Sequence, residues 1–103
     1  MMMYPITCIC GSTRFRKEIQ EAVRLETMRG CIVLSPGVFG NDSDPITDEE
    51  KADLDKMHRM KIALSDQVLV VNPGGYIGES TANEIAYAHE IGRPVKYTEA
   101  LHV

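Results

Sequence analysis

The stretch "VVNPGGYIGESTANEIAYAHEIGRPV", residues 70–95, decides the fold. It carries the end of an apolar run into a glycine-rich bend, then an alanine-rich helical segment, then the start of another β-branched run. Residues 68–71 are uninterrupted apolar, which suits a central parallel strand covered on both faces. The helix expected over 81–91 stops at Gly92, and residues 95–97 supply the next strand. A strand, a glycine loop, a helix and a second strand in this order imply parallel pairing through a helical crossover.

Working outward, the third strand begins at residue 67. Before it, Thr47-Asp48-Glu49-Glu50 has the form of a capping box and opens a helix that ends near residues 65–66. That helix is acidic at its start and carries Lys56, Arg59 and Lys61 later, as the macrodipole favours. Residues 6–10 form the first strand and 31–34 the second. Between them, Phe15, Ile19, Ala22 and Val23 make the apolar stripe of a helix over 13–29. Residues 36–46 hold two Pro, two Gly, one Asn and two Asp. They read as a long loop, a common place for a lid or binding segment.

The pattern is β-α-β-α-β-α-β in a single domain, 1–103. The expected fold is α/β, a flavodoxin-like (Rossmann-like) three-layer sandwich. Its parallel sheet of about four strands should run 2-1-3-4, because strands one and three are the most apolar. At 103 residues the core is thin, which favours association with a second copy. The net charge of −4 disfavours nucleic acid polymers and acidic membranes. Three cysteines without ligand-like spacing argue against a disulfide framework or a zinc site. Cys8 and Cys10 read as buried free thiols. The Met1-Met2-Met3 start has no secretory pattern and no apolar run is of membrane-spanning length, so a cytoplasmic location is expected.

In the order 2-1-3-4 the winding reverses between strands one and three, and ligands bind at that switch point. The loops there are Gly11-Ser12-Thr13-Arg14 and residues 72–81, which include Gly74, Gly78 and Ser80. Both lead to helix N-termini, where free N–H groups attract anions. Arg14 offers a bidentate phosphate contact. Plain turn chemistry is the competing account of both loops. Neither loop is a Walker A motif or a GxGxxG fingerprint.

Two further residues have paired readings. Glu84 completes a capping box with Thr81, or its carboxylate serves a ligand held by both loops. His58 shares the apolar stripe of Leu54 and Ile62, or acts as a proton carrier. The acidic residues between Asp42 and Asp55 read as a solvated face, not a metal site.

The segments "CGSTR", "SDQVLVVN" and "GESTANEIAYAHEIGRPV" resemble the nucleoside 2-deoxyribosyltransferase-like superfamily, which includes deoxynucleoside 5′-monophosphate N-glycosidases. The resemblance runs from about residue 6 to 97. It implies a flavodoxin-like fold, a homodimer or higher assembly, and cleavage of the bond between a nucleobase and its sugar. It places the catalytic glutamate on Glu84 and the phosphate- and sugar-binding loops on Gly11, Ser12, Arg14, Gly78 and Ser80. Such enzymes usually carry an aspartate eight residues before the Asp that opens the third strand. Here that position is His58, whose imidazole can donate a proton near neutral pH. The expected function is cleavage or transfer at the N-glycosidic bond of a nucleoside or nucleoside 5′-monophosphate. Glu84 would be the nucleophile or charge stabiliser, and no metal or redox cofactor is required. The alternative is a non-catalytic nucleotide-binding or sensing module on the same fold.

Overall fold

The computed structural model describes residues 3–38 and 45–100. Among them, strands β1 (Ile6–Gly11), β2 (Ile32–Leu34), β3 (Gln67–Val71) and β4 (Val95–Tyr97) alternate with helices α1 (Arg16–Met28), α2 (Asp48–Leu64) and α3 (Glu79–Glu90). All three strand pairings are parallel and the order is β2-β1-β3-β4. This is the expected α/β arrangement, with the two most apolar strands at its centre.

The period-two alternation of the central strands divides the core into two faces. Cys8, Cys10, Val68 and Val70 pack with Ile62 of α2 and Ala88 of α3. Ile9 and Val71 point the other way, onto Ile19 and Ala22 of α1. Helices therefore cover both sides of the sheet. Gly11 sits opposite Val71 in the β1–β3 register. A Cβ there would lie 2.9 Å from the Val71 carbonyl oxygen, so the close approach of the two strands excludes a side chain.

The helix starts differ from one another for local reasons. At α2 the expected capping box forms: Thr47 Oγ1 accepts from the Glu50 amide, and the Glu50 carboxylate accepts from the Thr47 amide. At α1 a 3-10 turn over Thr13–Phe15 precedes the helix. At α3 the helix begins two residues earlier than expected. Gly78 is the N-cap, in extended backbone and with no side-chain cap hydrogen bond. Thr81 thus becomes the third helical residue and is buried. The capping box expected between Thr81 and Glu84 does not form, because both residues already lie inside the helix.

Pro73–Gly75 make a 3-10 turn in which Gly74 and Gly75 take positive φ, the left-handed region where glycine is least strained. Asn72, fully buried at the end of β3, accepts from Thr98 Oγ1 and the Glu99 amide and donates to the Glu99 carbonyl. It ties the chain beyond β4 to the top of the sheet. Of the expected loop 36–46, residues 39–44 lie outside the described residues. No helix among the described residues is long and apolar enough to cross a membrane.

Candidate functional site

The carboxyl ends of β1 and β3 open into a pocket of about 790 Å³. Gly11, Ser12 and Thr13 form one wall, at the end of β1. Gly78 and Ser80, at the start of α3, form the facing wall, and α2 supplies a third with Lys51, His58 and Lys61. Pro36, Gly37, Val38, Pro45 and Ile46 border it where the long loop leaves and rejoins the described chain. Glu84 also lines the pocket, so the two loops and both candidate catalytic side chains share one cavity.

Arg14 and Gly74, expected at the same site, do not line the pocket. The Arg14 guanidinium stacks on the Tyr76 ring, 4.4 Å from its centroid. Gly74 is an exposed turn residue with open space where a Cβ would point. The Ser12 hydroxyl accepts from the Arg14 amide at 3.4 Å, a local turn contact. The cation beside the α3 terminus is instead Lys51. Its Nζ donates to Ser80 Oγ at 3.0 Å and pairs with Asp55 at 3.2 Å. Lys51 was not singled out from sequence. Only its place in the acidic half of α2 distinguished it, and that half reads as solvated surface.

His58 and Glu84 approach each other from different helices. His58 is buried on the Leu54–Ile62 stripe of α2, and its Nε2 lies 3.5 Å from Glu84 Oε2. Their side chains are only 9% and 16% exposed, so the pair is largely screened from water. Burial raises the Glu84 carboxyl above its ordinary value, assisted by Cys8 and Asp55 and opposed by His58 and Lys51. Burial by itself would lower His58. The Cys8 hydrogen bond and the attraction of Glu84 and Cys8 overcome it and raise the imidazole. The pocket therefore holds a carboxyl that ionises late and an imidazole that keeps its proton late.

Behind this pair stand the two thiols of β1. His58 Nε2 lies 3.4 Å from Cys10 Sγ and 3.7 Å from Cys8 Sγ. The neighbouring Cys10 thiol, against burial and with help from His58, holds the Cys8 thiol down at about 5. Cys10 is pushed well above its ordinary value by the neighbouring Cys8 thiol and by burial. His58 is nearer to Cys10 than to Cys8. The two thiols thus act as a unit that yields one proton readily and resists yielding the second.

Sequence reasoning expected both thiols to be buried, and both are. It missed their meeting with His58. The signal was present in the C-x-C spacing, which puts both sulfurs on one face of a strand. Nothing local says that α2 covers that face. Comparison of the chain with protein-family models, with curated proteins and with solved structures finds no match.

Proposed function

We propose that this chain is a nucleoside 2-deoxyribosyltransferase-like protein that cleaves or transfers at the N-glycosidic bond of a nucleoside or nucleoside 5′-monophosphate. The observation that carries this reading is the largely screened Glu84–His58 pair in the wall of a pocket framed by two glycine- and hydroxyl-bearing loops. The motif resemblance points the same way.

The chemistry suits the pair. As the carbon–nitrogen bond breaks, its electrons leave with the base and positive charge grows on the sugar ring, as in glycoside hydrolysis. The ionised Glu84 carboxylate stabilises that charge or attacks the anomeric carbon. His58, holding its proton on Nε2, gives it to the departing base. Water, or a second base, then takes the sugar. The α3 N-terminus has no side-chain cap, and its free amide groups together with Lys51 suit a 5′-phosphate.

A panel of nucleosides and nucleoside 5′-monophosphates, followed by chromatography of free base, tests the reading. Base release supports it. Binding without release returns the chain to the alternative of a nucleotide-binding module, and no binding overturns both. Dimerisation belongs to the same proposal. Met57, Met60 and Leu64 line one exposed stripe of α2, an apolar surface suited to a second copy. Light scattering that finds only monomer at micromolar concentration would overturn that part.

A further inference from the structure

Cys8, Cys10 and His58 form a cluster whose ligand atoms all lie within 4.8 Å of one another. We propose that they bind one zinc-class divalent cation, with the fourth coordination position open toward the pocket beside Glu84.

The geometry of the ligand atoms supports this directly. Tetrahedral zinc, with bonds of about 2.3 Å to sulfur and about 2.0 Å to nitrogen, separates a sulfur from a nitrogen ligand by about 3.5 Å. The two sulfur-to-Nε2 separations here are 3.4 and 3.7 Å. The two sulfur–nitrogen edges already match such a tetrahedron, and the sulfur–sulfur edge is no longer than 4.8 Å. A ring nitrogen carries at most one hydrogen, yet Nε2 has two sulfurs and the Glu84 oxygen around it at 3.4–3.7 Å. One hydrogen bond serves only one of these neighbours, whereas a cation among the ligand atoms satisfies them together.

The donor set selects the ion. Two thiolates and an imidazole suit zinc, while magnesium and calcium require oxygen ligands. Three protein ligands with one open position is the arrangement of zinc sites that also hold water or a substrate group. The scaffold is stiff: both sulfurs project from the central strand β1, and His58 comes from the third turn of the 17-residue α2. Preorganisation of this kind keeps the ligands in place without the metal. His58 and Glu84 line the pocket, and the two fully buried sulfurs stand directly behind His58. Binding releases the proton retained by Cys10 and any proton on His58 Nε2 to solvent, so affinity falls as the solution becomes more acidic. It also occupies the Nε2 atom, so metal binding and proton donation by His58 exclude each other.

The test is titration of the reduced full-length protein with Co²⁺ near neutral pH, followed by displacement with Zn²⁺. One equivalent of cobalt should bind, with a sulfur-to-cobalt charge-transfer band and the intense visible absorption of four-coordinate cobalt, and zinc should abolish both. Cys31→Ser should bind unchanged. Cys10→Ser and His58→Asn should each weaken binding by about 100-fold or more, beyond the usual effect of losing an outer hydrogen-bond partner. Circular dichroism checks that each variant is folded. His58→Asn alters a residue at the pocket edge and leaves β1 intact, so it stands in if Cys10→Ser fails to fold. No stoichiometric binding, bound cobalt without the sulfur band, or full affinity in a folded Cys10→Ser or His58→Asn protein would overturn the proposal. The readout is metal absorption, not base release, so a failure to bind metal is told apart from a failure of the glycosidic reading, while the metal-loaded protein should lose proton donation by His58.

Discussion

Glu84 Oε2 stands 3.5 Å from His58 Nε2, joining the second turn of α3 to the third turn of α2. Each residue alone has an ordinary reading, one as a helix carboxylate and the other as a packed imidazole. Brought together in a largely dry site, they become an acid–base pair whose members shift each other's ionisation. The failure of the Thr81–Glu84 capping box leaves the carboxylate directed to that partner.

Glu84→Gln should reduce base release by about 10²-fold or more, since an ionised group facing the developing charge is lost. The melting temperature should change little, because Glu84 does not cap α3. Chromatographic base release and a thermal melt on the same preparation check both halves. Unchanged turnover would remove Glu84 from the mechanism.

The pH dependence of base release should be bell-shaped. Glu84 must be ionised and its value lies above 4.5, so activity climbs as pH rises through that raised value. His58 must be protonated and its value lies above 6.5, so activity declines as pH rises through it. The two apparent values belong to the pair, not to either residue alone. In His58→Gln the alkaline limb should vanish along with most of the activity, and a pH–rate series on both proteins reads this out.

Lys51→Met should weaken binding of a nucleoside 5′-monophosphate more than binding of the nucleoside, because Lys51 is the cation beside Ser80 at the α3 terminus. Arg14→Ala should have the smaller effect, since that guanidinium stacks on the pocket-wall ring of Tyr76 and does not itself line the pocket. Calorimetric titration with the two ligands ranks the variants. The reverse ranking would make Arg14 the phosphate contact.

Thr47→Ala should cost about 1 kcal/mol of stability through loss of the capping box at α2. Urea denaturation should show an earlier midpoint with an unchanged slope.

Gly11→Ala should destabilise the fold by about 1–3 kcal/mol, the usual cost of forcing a methyl group into a filled space. Its Cβ would meet the Val71 carbonyl at 2.9 Å, and neither backbone can withdraw without breaking the β1–β3 ladder. Denaturation in urea checks this. A protein of full stability would show that β1 and β3 separate more easily than the register suggests.

The strands, the helices and their order were legible in the sequence because each depends on local pattern. The apolar, β-branched run at residues 6–10, the uninterrupted run at 68–71 and the capping box at Thr47 speak for their own segments. Alternation of strand and helix then leaves few ways to assemble a parallel sheet. The two loops at the switch point followed from the strand order. Their glycines were harder to read, because the same residue type serves a close strand crossing at Gly11, a left-handed turn at Gly74 and a helix entry at Gly78. Local sequence does not separate those demands. Which side chains meet was set by long-range packing. The C-x-C spacing put two thiols on one face of β1, and the Leu54–Ile62 stripe put His58 on the inner face of α2. Their contact, and the position of Glu84 across from them, depend on α2 and α3 covering the same side of the sheet. That choice is made by packing between residues about 50 positions apart in the chain.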